Sequence, residues 1–331
     1  MTDMYTALER QLNDFDPVAR RAALDALIKA VDSGDIEWPP PGRAFNLHCH
    51  SFFSYNGYGY SPPALAWKGR QAGLCAMGLV DFDVLDGVDE FLRACGQLGL
   101  RACAGFETRI FVPEFADRVI NSPGEPGIAY HMGMGFTTAQ SADNAFLAKL
   151  KAIAQRRNRD MVERINPHLD RIALDYERDV IPLTPKGNPT ERHVCMAYDA
   201  KARALIPDTD ERTAYWADRL GVDEAKICEC LDDAPTFQGL IRSKTMKAGG
   251  VGYAVPDSGD FPRLDEVNRF TLAAGAIPTL AWLDGTTPGE QAIDDLLDVM
   301  TAAGVAAVNI IPDRNWNIAD SETQQRKVRK L

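Results

Sequence analysis

Residues 45–51 read Phe-Asn-Leu-His-Cys-His-Ser, and this stretch has the composition of a short β-strand with two histidines near its end. Side chains alternate between the two faces of a strand, so His48 and His50 would share one face and Leu47 and Cys49 the other. Two imidazoles about 7 Å apart on one face can both reach a single metal ion. The alternative is a pair of surface histidines, and the motif alone does not decide between these interpretations.

Short apolar strands alternate with helical patterns on both sides of this stretch. We predict strands at residues 45–50, 75–80, 101–106 and 128–136, and the alternation returns at residues 252–255. Strands that alternate with helices favour an α/β fold with a largely parallel sheet, either open or closed into a barrel.

Acidic residues and a histidine accompany the next three predicted strands. Asp81 and Asp83 follow one strand, Glu107 follows another, and His131 lies within a third. In barrel-type α/β folds the carboxyl ends of the strands meet at one edge, where functional sites are built. These residue types at successive strands therefore predict a metal site at that edge.

The rest of the chain divides by its pattern into four parts. Residues 1–41 predict a helical extension that ends in three consecutive prolines. Residues 42–137 and 248–331 carry the strand–helix alternation, whereas residues 138–247 are dominated by helical patterns. We interpret 138–247 as a helical insertion between two parts of one barrel-like domain.

Charge and cysteine usage limit the classes of partner. The chain has 331 residues, and 47 acidic against 36 basic residues give a formal net charge of −11. An acidic surface disfavours duplex nucleic acid and anionic membranes, and no apolar run of about 18 residues predicts a membrane span. The start has no secretion signal, and the seven cysteines are scattered, partly in apolar runs. These features are typical of reduced thiols in a cytoplasmic protein.

Seven short motifs follow one another in a recognisable order. They lie at residues 46–51, 61–62, 72–74, 80–83, 86–88, 105–108 and 274–281. In this order and spacing they resemble the PHP-domain metal-dependent phosphoesterases. The resemblance runs from about residue 44 to about residue 311, apart from most of the insertion.

The resemblance implies a distorted seven-stranded (β/α) barrel whose divalent ions activate water, as hydroxide, for attack on a phosphate ester. Matched residue by residue, His48 and His50 fall on ligands of the first ion. Glu107 falls on the carboxylate that bridges ions, and His131 falls on a ligand of the second ion. Asp81 matches an acidic residue beside the site.

The sequence departs from the family pattern at several ligand positions. Asn56, Phe82 and Trp282 stand where the family has Asp, His and His. The family's last strand, with its Asp-x-His pair, would follow Leu331, so either the sequence is truncated or these ligands are absent. The remaining candidate ligands are His48, His50, Glu107, His131 and Asn56. An imidazole-rich set suits one or two ions of Mn, Zn or Fe better than Mg or Ca.

Basic residues outside the barrel motifs are candidates for binding substrate. Family members with an insertion use its basic residues to hold a second phosphate, so Arg192 and His193 are candidates for forked hydrogen bonds to phosphate. The alternative is a helix start, capped by Thr190 or Asn188, with Arg192 in solvent. Arg314 follows a strand end and could contact an anion at the mouth of the site.

We therefore predict a metal-dependent phosphoesterase that hydrolyses a small phosphate monoester, such as a nucleotide or a short oligonucleotide end. Asp81 and Asp83 are the candidates for the acid that protonates the leaving oxygen. The alternative is a degenerate PHP-fold protein that binds a ligand or partner without catalysis, because Phe82 and Trp282 replace family ligands. Under either hypothesis the N-terminal helices could contact another protein.

Overall fold

A computed structural model describes residues 2–140, 143–255 and 259–311, together with residues 322, 329 and 331. Contacts divide the chain into two units. The first consists of residues 1–150 and 256–331, and the second of residues 151–255. The candidate metal ligands belong to the first unit.

The first unit is built on a six-stranded sheet in which the strands lie in chain order. They are β1 (Phe45–Asn46), β2 (Ala76–Phe82), β3 (Arg101–Phe111), β4 (Ile128–Met134), β5 (Ile277–Trp282) and β6 (Ala307–Ile310). The predicted α/β class is confirmed. A seventh strand and a closed barrel stay predictions.

The sheet is mixed rather than largely parallel. Strand β4 runs antiparallel to both β3 and β5, while the other three pairings are parallel. The reason lies in residues 112–127, where the structure has only the three-residue 3₁₀ turn Pro113–Phe115. Parallel neighbours usually need a helical crossover, and without a helix here the chain returns as a wide hairpin.

Twelve α-helices lie in the described residues. They are α1 (Thr2–Gln11), α2 (Pro17–Asp32), α3 (Pro62–Gln71), α4 (Val88–Gln97), α5 (Asn144–Ile165), α6 (Glu191–Leu205), α7 (Thr209–Leu220), α8 (Glu224–Cys228), α9 (Ala234–Thr245), α10 (Leu264–Ala273), α11 (Pro288–Gln291) and α12 (Ile293–Ala302). Among the described residues, no helix is long and apolar enough to cross a membrane.

The two predicted N-terminal helices form and pack within the first unit. The Asp16 side chain accepts a hydrogen bond from the Val18 backbone N–H, which caps α2. Arg20 of α2 is buried and pairs with Glu90 of α4, with an N···O distance of 2.7 Å. Leu27 is fully buried in the main core. Contact of these helices with another protein stays a prediction.

The two faces of the sheet carry different residues. One face, which we call the helix face, contributes Leu79, Phe106 and Leu280 to the large cluster that includes the helices. The opposite face, which we call the inner face, contributes Val80 and Met132 to a small separate cluster. Residues that pair directly across strands share a face, so the register assigns every strand residue to one of these two faces.

The second unit is helical and has a core of its own. Aromatic side chains from three different helices, Tyr198, Trp216 and Phe237, are fully buried there. The strand predicted at residues 252–255 is wrong, because this segment is a turn followed by irregular chain.

Candidate metal centre

The segment that carries the two histidines runs as extended chain beside β2. Strand β1 ends at Asn46, so the predicted strand at 45–50 is shorter than expected, yet the Val80 N–H still donates to the Cys49 carbonyl oxygen at 2.8 Å. Gly78 permits this approach, since a Cβ atom there would clash with the backbone of Leu47. The local sequence therefore brings the histidines to the carboxyl end of β2.

His48 and His50 converge on one carboxylate. Their Nε2 atoms lie 3.4 and 3.2 Å from Oε2 of Glu107, which is almost fully buried. Strand β3 continues to Phe111, beyond the predicted 101–106, so Glu107 lies within the strand, paired with Phe82 at the carboxyl end of β2. One ligand atom from each of the three residues lies within 4.8 Å of the other two. Among the described residues, this is the one group of three or more His, Cys, Asp or Glu side chains with that geometry.

The electrostatics of the group favour a bound cation. Burial raises the pKa of Glu107, but the hydrogen bonds with His48 and His50 outweigh burial and bring its pKa to about 2. Burial also lowers the pKa of His48, but contact with Glu107 outweighs it and the net pKa is raised. A carboxylate that stays ionised beside two imidazole nitrogens is the charge arrangement of a metal site.

The donor set fits a divalent ion. Two imidazoles and one carboxylate are the ligands of catalytic zinc sites and of mononuclear iron sites. The other ring nitrogen of His48, Nδ1, lies 3.1 Å from Oδ1 of Asn309 on β6. Such a contact orients a ligating imidazole and leaves Nε2 for the metal. No sequence signal identified Asn309, because β6 lies at the opposite edge of the sheet from β1 and reaches His48 only through the curvature of the sheet.

Phe82 packs flat against His50. The ring centroids are 4.6 Å apart with an interplanar angle of 7°, and the Tyr130 ring lies 6.2 Å from Phe82. Phe82 pairs directly with Glu107 across β2 and β3, so both project from the inner face. The phenyl ring thus occupies one side of His50 and supports it, although it cannot bind metal.

Asp81 and Asp83, the candidate acids, are engaged in holding the surrounding chain. The buried Asp81 carboxylate accepts hydrogen bonds from the Ser51 N–H, Ser51 Oγ and Ser54 Oγ at 2.6, 2.6 and 2.8 Å. Burial raises the pKa of Asp81 despite these bonds. Asp83 is half-buried with a left-handed φ of 61°. Its N–H donates to the Glu107 carbonyl oxygen, and its carboxylate accepts from Thr108 Oγ1.

The Asn56 side chain forms hydrogen bonds within the loop that contains it. Its Nδ2 donates to the His50 carbonyl oxygen at 2.9 Å, and its Oδ1 accepts from the Tyr58 and Tyr60 N–H groups. Because the amide oxygen already accepts two backbone hydrogen bonds, Asn56 serves to shape the segment after His50.

The structure does not bring His131 to the other candidate ligands. His131 pairs with Thr108, and Glu107 pairs with Met132, so the two side chains project from opposite faces of the sheet. His131 is fully buried on the helix face, with Nε2 2.6 Å from Oδ1 of Asn268 in α10. The antiparallel run of β4, which sequence spacing did not show, sets this register.

The remaining predicted positions lie elsewhere. His193 is buried in the second unit, where its Nδ1 accepts from the Thr190 N–H at 3.0 Å, which makes it part of the cap of α6. Arg192 is half-buried at the same helix start. Trp282 is fully buried on the helix face. Arg314 lies outside the described residues.

Two solved structures share the fold. A candidate metal-dependent phosphoesterase from Bifidobacterium adolescentis matches with a TM-score of 0.56 at 18% identity, over 88% of this chain and 85% of that chain. An amidohydrolase from Chromobacterium violaceum, with bound sulfate and no metal, matches with a TM-score of 0.51 at 17% identity, over 80% of this chain and 75% of that chain.

Part of the chain is also similar to error-prone DNA polymerases of Mycobacterium bovis and Mycobacterium tuberculosis. Each is 29% identical over 138 residues, which is 37% of this chain but 12% of the polymerase. No family model matches the chain. Together these similarities confirm the resemblance that the motifs indicate, and they show that the chain shares the fold of a solved candidate metal-dependent phosphoesterase.

Proposed function

We propose that this chain is a metal-dependent hydrolase that acts on a small phosphate monoester. The observation that carries the proposal is the convergence of His48, His50 and the ionised Glu107 at the carboxyl end of the strands. Both solved relatives carry names of hydrolases.

Three protein ligands suit one ion of Zn, Mn or Fe, with positions left for water and substrate. When bound, such an ion polarises a phosphoryl oxygen and lowers the pKa of water, to about 7 in the case of zinc. Asn309 holds His48 in the orientation that directs Nε2 to the ion. Phe82 limits the movement of His50 through the flat ring contact. A second ion stays a prediction.

Of the two acids, we assign proton donation to Asp83. The Asp81 carboxylate is buried and accepts three hydrogen bonds from the loop after His50, so its role is to position that loop. Asp83 lies directly after β2, and its backbone N–H donates to the Glu107 carbonyl oxygen. Its carboxylate accepts a hydrogen bond from Thr108 Oγ1 but is more exposed than the buried Asp81 carboxylate. We expect it to protonate the leaving oxygen.

The net charge of the chain indicates which class of phosphate-bearing substrate it would bind. A net charge of −11 suits a small ligand held by local cations better than a duplex. A nucleotide or a short oligonucleotide end meets this requirement. We propose a cytoplasmic location on the basis of the cysteine usage.

Metal analysis of the purified full chain tests the proposal. Protein prepared without added metal should contain about one ion per chain of Mn, Fe or Zn. His48→Ala and Glu107→Gln should lose it, while the matched control His168→Ala should keep it, because His168 bonds to the Arg219 carbonyl oxygen in the second unit. Phosphate monoesters assayed with and without Mn²⁺ then measure turnover. Metal content that is indifferent to His48 and Glu107 would overturn the proposal.

The second candidate function is ligand binding without turnover. It is favoured by Phe82, whose ring covers one side of His50 where the family has a histidine. On this hypothesis the wild-type chain binds metal and phosphate esters but hydrolyses none of a broad panel. Phe82→His would then be the variant to assay for a gain of hydrolysis.

A further inference from the structure

Arg109 is the cation beside Glu107 at the carboxyl end of the inner face. Residues two apart on a strand share a face, and Arg109 pairs with Tyr130 of β4 as an inner-face neighbour. On the six strands, the other charged side chain of this face besides Glu107 is Arg101, six residues away at the amino end. Of the two arginines on this face, Arg109 is therefore the one closer along β3 to Glu107 of the metal group.

The guanidinium of Arg109 is oriented rather than loose. Its Nη1 donates to Oε2 of Glu125 at 2.7 Å, and its carbon lies 4.7 Å from the centre of the Phe261 ring. The Arg109 side chain is 21% exposed, so part of it meets solvent. An arginine that is held in place and still accessible is suited to bind an incoming anion with little loss of side-chain entropy.

A series of neighbouring aromatic rings runs from His50 of the metal group to Tyr130, the cross-strand partner of Arg109. The His50 ring stacks on Phe82, Phe82 lies 6.2 Å from Tyr130, and Tyr130 is the cross-strand partner of Arg109. Two residues along β3 separate the Cα atoms of Glu107 and Arg109 by about 7 Å, on the same face of the sheet. A tetrahedral anion that accepts an N–H···O bond of about 2.8 Å from Arg109 and makes a metal–oxygen bond of about 2 Å to an ion at Glu107 would bridge two side chains with this backbone spacing.

We propose that Arg109 binds the phosphoryl oxygens of the substrate, on the side opposite to the ion held by His48, His50 and Glu107. The inference rests on the proposed function and names a residue that recognises its phosphate. A guanidinium forms paired hydrogen bonds with phosphate, which gives direction as well as charge. Glu125 has two opposing effects on anion binding. It orients the Arg109 guanidinium, and its negative charge weakens the attraction between the guanidinium and the anion.

Binding of inorganic phosphate to the full chain tests this assignment. In isothermal titration of Mn²⁺-loaded protein, Arg109→Gln should weaken phosphate binding about 10- to 100-fold, as expected when a charged hydrogen-bond partner is lost. Arg109→Lys should fall between wild type and Arg109→Gln, and Glu125→Gln should tighten binding about threefold. Mn²⁺ content should not change in any of them.

Arg118→Gln is the matched control. Arg118 also lies over a ring, 4.4 Å from the centre of Phe115, and also pairs with a carboxylate, Asp295. It lies outside the strands, between β3 and β4, so its loss should leave phosphate affinity unchanged.

The role of Arg109 and the proposed hydrolase function are tested by different outcomes. If Arg109→Gln and Arg109→Lys keep their Mn²⁺ and bind phosphate like wild type, the role of Arg109 is refuted and the hydrolase proposal stands. If wild type binds no metal, the hydrolase proposal fails. Titration of the metal-free chain then still tests Arg109, since equally weak binding in wild type and Arg109→Gln refutes the inference. If the Arg109→Gln variant does not fold, phosphate binding by the Arg109→Lys variant tests the inference instead.

Discussion

The substitution His131→Gln tests whether His131 is a structural residue of the core rather than a metal ligand. The Asn268 Nδ2 donates to the Ala303 carbonyl oxygen at 2.8 Å, so its Oδ1 faces His131 and accepts from the ring Nε2–H. The other ring nitrogen, Nδ1, is buried and has no hydrogen-bond partner among the residues that the structure describes. A proton added there would place a charge in the core without an acceptor, and burial lowers the pKa of His131 to about 4.

The size of the pH effect follows from this pKa. The ordinary pKa of a histidine side chain is 6.5, so the unfolded chain binds this proton at a higher pH than the folded chain. The corresponding stability is present above pH 6.5 and is lost as the pH falls towards 4, by about 3 kcal/mol in total. Between pH 7 and pH 5, the part contributed by His131 is about 2 kcal/mol.

Urea unfolding followed by circular dichroism at pH 7 and pH 5 measures this difference. Gln can still donate to Asn268 but does not titrate, so wild type should lose about 2 kcal/mol more stability than His131→Gln over this range. Metal analysis of the same samples should show wild-type content in His131→Gln and loss in the control His48→Gln. Loss of metal from a folded His131→Gln variant would refute the assignment to the helix face. An equal pH dependence would refute the reasoning from burial.

Three further predictions concern residues around the site and the N-terminal helices. Asn309→Ala should weaken Mn²⁺ binding about 10- to 100-fold in isothermal titration, because His48 loses its orienting partner, while Asn309→Asp should keep the affinity. Asp81→Asn should lower the free energy of unfolding by about 1–3 kcal/mol in urea titrations, since the amide presents a donor to groups that donate. Arg20→Met should cost about 3–5 kcal/mol, and Arg20→Met with Glu90→Leu should recover much of it, because the single variant leaves a buried charge unpaired.

Much of the candidate site could be predicted from the sequence because its ligands are set by local pattern. His48 and His50 lie two residues apart in extended chain, and Glu107 lies on the strand next to β2, paired with its last residue. Strands β2 and β3 are parallel and adjacent in the sequence, so strand ends in the sequence become neighbours in space. The helix starts at Asp16 and Ser61 follow equally from capping side chains and prolines.

Where the sequence was insufficient, the missing information was register and strand direction. Side chains alternate with a period of two, so a change of one position moves a residue to the other face. The antiparallel β4 places His131 against α10, while Tyr130 and Met132 face inwards. Likewise, the pairing of β6 with β5 places Asn309 on the inner face, and the curvature of the sheet brings it to His48 across 261 positions of sequence.

The strand–helix order, the pair of histidines, the carboxylate of β3 and the helix starts at Asp16 and Ser61 could be read from the sequence, because each depends on residues close together along the chain. Which side chains share the inner face with that carboxylate became visible only in the folded chain. The tertiary structure added Asn309, Phe82 and Arg109 and separated His131, because face and neighbour depend on pairings between distant segments.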